Sequence, residues 1–239
     1  MSTSFGMWEE VAIEEEVRAA EEEGVQESEP TAAEQIADEQ LLSLVRRLYL
    51  AGWPKPMRQV VFSGIRDSAA GAALCLRIAE TLANQITAKV CLVETEPGTE
   101  TEELVFGGAR ADVGDTPEPA GAVRASSLQL KKNLWLVPVT AWRSSEGAAT
   151  LPWVRRRLGE LRSEFDYAVI HAPPAGTSGE AETLAQLTDG LVLVVEAHRT
   201  RRVSARAIQQ KLQAAHVPIL GAVLSGRTFP IPERLYRRL

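Results

Sequence analysis

The sequence predicts a three-layer α/β/α domain built on a mostly parallel sheet, and three observations predict it. Short apolar runs recur along the chain: "QVVF" (59–62), "KVCLVE" (89–94), "NLWLVPV" (133–139), "YAVIHA" (167–172), "GLVLVVEA" (190–197) and "ILGAVLS" (219–225). Strands that are apolar on both faces belong in a sheet covered by helices on both sides. Segments with helical spacing alternate with these runs, which calls for crossover connections between parallel strands. Finally, Ser63, Glu94, His171 and Ser225 fall at the carboxyl ends of four runs, the edge at which open α/β sheets bind ligands.

Taken in order, the chain begins with a strongly acidic stretch. Residues 1–39 hold 13 Asp and Glu against the single basic Arg18, whereas the rest of the 239-residue chain carries more bases than acids. Residues 1–31 repel themselves and have little bulky apolar surface beyond Phe5, Trp8, Val11 and Ile13, so they are expected to be a disordered acidic tail preceding a domain at 32–239. "EQLLSLVRRLYL" (39–50) is spaced as a helix, and "GWPKP" (52–56) ends it. The first strand follows, then a helix from about Ala70 to Asn84 and the second strand. From Pro97 to Ser126 the composition is that of a long loop, with one short helix expected near 102–105. The strand at 133–139 is followed by helices near Pro152–Ser163, Glu180–Leu187 and Arg202–Ala215, with the remaining strands between them.

No run approaches the roughly 20 apolar residues of a membrane span, and the N-terminus lacks the basic and apolar regions of a signal peptide. A cytoplasmic protein is expected, and the overall formal charge of -6 with its free acidic tail does not recommend nucleic acid as a partner. Cys75 and Cys91 have no C-x-x-C spacing or companion histidines, so two buried reduced thiols are expected and no metal site. Basic clusters at Trp153–Leu158, His198–Arg206 and Arg234–Leu239 are either solvated helix faces or docking surfaces for an acidic partner or an anionic membrane.

One family resemblance is specific. "FDYAVIHAPP" (165–174) resembles the "FDYVIIDTPP" segment of the bacterial tyrosine-kinase, capsular exopolysaccharide family, a branch of the deviant-Walker P-loop ATPases that includes the partitioning and division-site ATPases. "DGLVLVVEAHRTRR" (189–202) and "VPILGAVLS" (217–225) are similar to that family's next two strands, and the likeness runs from about Glu39 to Leu239. It implies a P-loop NTPase-like fold with the phosphate loop at "FSGIRDSAAGAAL" (62–74).

At that loop the residues depart from the family. A G-x-x-x-x-G-K-[ST] loop needs a nest of backbone N–H groups, a lysine on the phosphates and a hydroxyl on Mg²⁺. Against the family's "PGEGKST" this chain has "DSAAGAA" (67–73), with Gly64 upstream at the strand end. Gly71 stands in the lysine slot, Ala72 and Ala73 stand where hydroxyls belong, and Ser68 replaces a glycine. The resemblance places His171 at the Walker B aspartate, Glu94 and Glu96 in the altered "VDAD" strand end, and Ser225 at the asparagine that contacts the base. A neutral imidazole is a poor partner for a hard cation. Loss of the lysine, hydroxyl and aspartate contacts removes roughly 4 to 9 kcal/mol at about 1.5 to 3 kcal/mol each, enough to move micromolar ATP affinity to millimolar or weaker. Arg66, five residues before Gly71, occupies the place of the second lysine of the partitioning ATPases and is a candidate anion contact.

The leading functional expectation is therefore a kinase-like pseudo-enzyme with regulatory or assembly duty in capsular or exopolysaccharide production. Its implied partners are a membrane polysaccharide chain-length or export protein and further copies of itself. Two alternatives stand beside it: an active ATP-dependent protein-tyrosine kinase with weakened ATP or ADP and Mg²⁺ binding, and a partitioning-type positioning factor with peripheral membrane contact. The family's C-terminal tyrosine cluster is reduced to Tyr236. Its E-x-x-R-x-x-R ring helix is not met from Glu39, although Arg46 and Arg47 stand nearby as a shifted remnant.

Overall fold

Seven strands, β1 (Gln59–Gly64), β2 (Val90–Glu94), β3 (Leu128–Lys131), β4 (Leu134–Val137), β5 (Tyr167–Ala172), β6 (Gly190–Glu196) and β7 (Ile219–Ser225), make one sheet in the order β3-β4-β2-β5-β1-β6-β7. Every pairing is parallel except the β3–β4 hairpin. The computed structural model describes residues 32–50, 56–66, 69–96, 123–142 and 150–226. The predicted acidic tail, the short helix expected at 102–105, Ser68, the C-terminal basic cluster and Tyr236 lie outside the described residues. The described residues from Ala37 onward form one compact unit.

Among the described residues the helices are α1 (Ala32–Val45), α2 (Ala69–Gln85), α3 (Val139–Trp142), α4 (Leu151–Glu164), α5 (Glu180–Leu187) and α6 (Arg202–Ala214). On one face of the sheet Val61, Val93, Ile170 and Leu193 pack with Leu158 and Leu161 of α4 and Leu184 of α5. On the other, Phe62, Leu92 and Val169 pack with Cys75, Ile78 and Leu82 of α2 and with Leu41 and Val45 of α1. Because β1, β2 and β5 are covered on both sides, their residues are buried almost without alternation, as the continuous apolar runs require. No helix among the described residues is long and apolar enough to cross a membrane.

Three elements differ from their predicted form. Beyond the loop expected to end at Ser126 lies β3, an edge strand that was not predicted, whose Leu128 and Leu130 are half-buried while Gln129 and Lys131 are exposed; four residues of alternation are a weak signal beside the long runs. The strand expected at 133–139 stops at Val137, because the Pro138 carbonyl accepts from the N–H groups of Ala141 and Trp142 and starts α3. The first helix begins at Ala32 rather than Glu39 and passes into a π-helical turn, Arg46–Leu50. That turn buries Leu48 and Tyr49, with the Tyr49 hydroxyl 3.4 Å from the Ala168 carbonyl, and leaves Arg46 and Arg47 exposed.

Polar side chains fix the ends of the elements. Asp189 Oδ2 accepts from the backbone N–H groups of Arg58 and Gln59 at 2.6 and 2.8 Å, which aligns the start of β6 with that of β1. Asn133 Nδ2 donates to the carbonyls of Ala83 and Ile86 at 2.9 and 2.8 Å, supplying a donor to the C-terminal end of α2. Those carbonyls have no intrahelical partner. Asn133→Ala is expected to lower the unfolding free energy by about 1 to 2 kcal/mol, read as a reduced midpoint in urea with an unchanged slope.

Candidate functional site at the carboxyl end of the sheet

Strand order, rather than sequence spacing, assembles the site. The chain leaves β1 through α2 for β2, and β5 later returns between them, so His171 of β5 is in register with Glu94 of β2 on one side and Phe62 of β1 on the other. Cross-strand partners share a face of the sheet, here the face under α2. His171 Nδ1 lies 2.7 Å from Glu94 Oε2, and both side chains are 0% exposed. A carboxylate accepts, so Nδ1 carries the proton and donates it. Thr95 Oγ1 donates to the His171 carbonyl at 2.9 Å and holds the strand end in place.

Gly71, in the first turn of α2, meets the same imidazole. A Cβ at this position would lie 3.0 Å from His171 Nε2 and 3.3 Å from Cδ2. The imidazole thus fills the space that the stem of a side chain at position 71 would need. Three buried polar atoms in this region have no hydrogen-bond partner among the described residues: Glu94 Oε1, His171 Nε2 and Glu96 Oε2. The Cys75 thiol, one turn further along α2, is pushed well above its ordinary pKa by burial and then by the charge of Glu94. Burial raises Cys91 as well. Both cysteines are free and buried, as predicted.

The second wall of the site is a set of backbone staples. Ser63 Oγ donates to the Pro173 carbonyl at 2.7 Å, Ala175 N–H to Gly64 O at 3.0 Å, and Gly176 N–H to Ile65 O at 3.1 Å. Gly176 approaches so closely that a Cβ on it would be 2.3 Å from the Ile65 oxygen. These contacts fix the end of β1, where Gly64 is buried and Arg66 emerges exposed.

Of the residues singled out in the sequence, the fold brings Gly71, Glu94 and His171 into one buried contact set. Ala72 is buried and Ala73 half-buried in the same turn of α2, and Glu96 lies just past β2. Ser225 ends β7, two strands from β1, and lines a separate groove of about 530 Å³ with residues of α1 and α2, including Leu44, Leu74 and Arg77. Ser63, Thr95 and Gly176 give the site its rigidity. Gly176 was missed in the sequence, since its "PPAG" context reads only as a turn. Chemically, the arrangement offers one imidazole locked by one carboxylate. Among the described residues no group of three or more His, Cys, Asp or Glu could hold a metal ion.

With α2 following β1 at the carboxyl edge, where open α/β sheets bind ligands, the architecture is of the P-loop NTPase-like α/β class. The comparisons agree with that class. Solved structures with this fold include the BceF tyrosine kinase domain (TM-score 0.60, 15% identity, covering 91% of this chain and 88% of that one) and the VpsO kinase domain (0.56, 18%, 82% and 98%). A MinC:MinD cell division complex of Aquifex aeolicus also shares it (0.53, 16%, 70% and 67%). In sequence, the chain is similar to tyrosine-protein kinase YwqD of Bacillus subtilis, 25% identical over 75 residues, which are 31% of this chain and 32% of the relative. It is also similar to tyrosine-protein kinase CpsD of Streptococcus agalactiae, 27% identical over 73 residues, 30% and 32% of the two chains. The matched stretch thus spans about a third of the length of these curated relatives, and no family model matches. The chain has a P-loop NTPase-like fold, and its local sequence similarity is to bacterial tyrosine-protein kinases.

Proposed function

We propose that this kinase-like domain serves as a regulatory or assembly component of capsular or exopolysaccharide production, acting through protein contacts rather than by phosphoryl transfer. One observation supports this reading above the others: the His171 imidazole, fully buried and bonded to Glu94, fills the space beside Gly71. Phosphoryl transfer depends on positioned phosphates and metal, and here the groups at the corresponding positions bind one another. The partner in this reading is a membrane protein of polysaccharide chain-length control or export, with self-association as a second contact.

Calorimetric titration of the full chain with ADP and ATP, with and without Mg²⁺, tests the proposal. The expected result is no saturable magnesium-dependent heat in the micromolar range. Micromolar affinity that requires Mg²⁺ would overturn it. The local similarity to tyrosine kinases favours a second reading, an ATP-dependent kinase with a divergent loop. Transfer of labelled phosphate from ATP to Tyr236 by the purified protein would establish that reading instead.

A further inference from the structure

We propose that the outer face of α6, with its N-cap, is a docking surface for an anionic membrane, where Arg201, Arg202 and Arg206 meet lipid phosphates and Val203 enters the headgroup layer. This goes beyond the function proposed above, which concerns protein contacts, and neither depends on the other.

The sequence sets the charge. From Ala197 to Gly226 the chain has no Asp or Glu, whereas Arg199, Arg201, Arg202, Arg206 and Lys211 are basic, in a protein of net charge -6. The Debye length is about 8 Å at physiological salt, so at contact the local patch outweighs the net charge. The fold then sorts these residues by face. Ala205, Ile208 and Leu212 pack against the core, while Arg202, Val203 and Arg206, with Gln209, Gln210 and Gln213, are all exposed. Residues four apart are neighbours on a helix surface, so Arg202 and Arg206 stand together with Val203 beside them. Val203 is 79% exposed.

The acids of the adjoining elements are already engaged. Glu196, at the end of β6, pairs with Arg199 at 3.4 Å, and Glu182 of α5 pairs with Lys211 at 3.8 Å. Arg201, Arg202 and Arg206 have no hydrogen bond or ion pair among the described residues. Helix stability does not account for them either. Arg201 is the N-cap yet makes no side-chain bond to the first turn, and that turn has no acid. An N-cap is ordinarily Ser, Thr, Asp or Asn, and cations at this end oppose the helix dipole. Positive charge is therefore held where it disfavours the helix, as expected of a surface kept for an external partner.

Lipid fits this face better than other polyanions. A nucleic acid backbone engages the arginines but gives Val203 nothing apolar to meet, and no aromatic residue between Ala197 and Gly226 offers a base a stacking partner. A purely acidic polypeptide leaves the same valine in water. At a bilayer, arginines reach the phosphates while the apolar residue between them enters the interface.

Co-sedimentation of the full chain with vesicles tests the proposal. Binding is expected to mixed phosphatidylglycerol and phosphatidylcholine vesicles, not to pure phosphatidylcholine, and it should fall as salt rises. Arg201→Gln, Arg202→Gln and Arg206→Gln are each expected to weaken it about fivefold, and the triple variant about a hundredfold. Val203→Ser is expected to weaken it about threefold or more. Arg201→Asp separates this role from a structural one: the new N-cap should raise the melting temperature while vesicle binding falls. Absence of binding to the anionic vesicles would overturn the proposal, as would binding unchanged in the triple variant or in Val203→Ser. Duplex DNA or polyglutamate bound as tightly as the vesicles at equal salt would overturn the lipid assignment. Nucleotide titration does not bear on any of these outcomes, so this proposal and the proposed function fail separately.

Discussion

Replacing His171 with alanine is expected to lower the unfolding free energy by about 3 to 5 kcal/mol, the cost of leaving one member of a buried pair without its partner. Glu94 is fully buried, and His171 is its sole hydrogen-bond partner among the described residues. Removing the imidazole strands the carboxylate beneath α2 and opens a cavity beside Gly71, so the desolvation and packing penalties act together. Urea unfolding of His171→Ala, Glu94→Gln and the double variant measures the coupling. The double variant is expected to be more stable than the sum of the single losses, because a neutral amide at position 94 can be buried at lower cost than a charge. Additive losses would show that the two residues stabilise the domain independently, and would remove the physical basis of the site described here.

Gly176→Ala is expected to cost at least as much as ordinary core overpacking, about 1 to 3 kcal/mol, and to fall at the upper end of that range. The obstacle is a backbone oxygen, that of Ile65, at 2.3 Å from the new Cβ. A flexible side chain could swing aside; a carbonyl that already accepts the Gly176 N–H can move only with the end of β1. Gly179→Ala is the control, since a Cβ there meets nothing within 4 Å. Differential scanning calorimetry should show a lowered melting temperature for the first variant and little change for the second. Equal melting temperatures would mean that the segment after β5 does not clamp the strand from which the α2 connection departs.

These two residues mark the limits of what could be read in advance. The carboxyl-end cluster was legible because strand ends announce themselves: a run of Val, Ile and Leu terminating in Ser63, Glu94 or His171 is visible without coordinates. Comparison with the "PGEGKST" and "FDYVIIDTPP" motifs also singled out Gly71 and His171 separately. Their contact was not legible, since one is on a helix after β1 and the other on β5, 100 residues later. Gly176 gave no signal, because close approach of two backbones depends on where the neighbouring segment runs. β3 escaped notice for a different reason. An edge strand of four residues, alternately half-buried and exposed, carries too little apolar periodicity to stand out from the loop composition before it.

By itself the sequence determined the layered α/β architecture, the burial of both cysteines and the identity of the altered residues, because burial on both faces and crossover connections leave a periodic record in the side chains. Only the tertiary structure decided that Glu94, His171 and Gly71 occupy one place, because strand order is fixed by packing between elements distant in the chain. That same packing joins His171 to Glu94 and leaves its Nε2 facing the start of α2, a juxtaposition that local spacing does not encode.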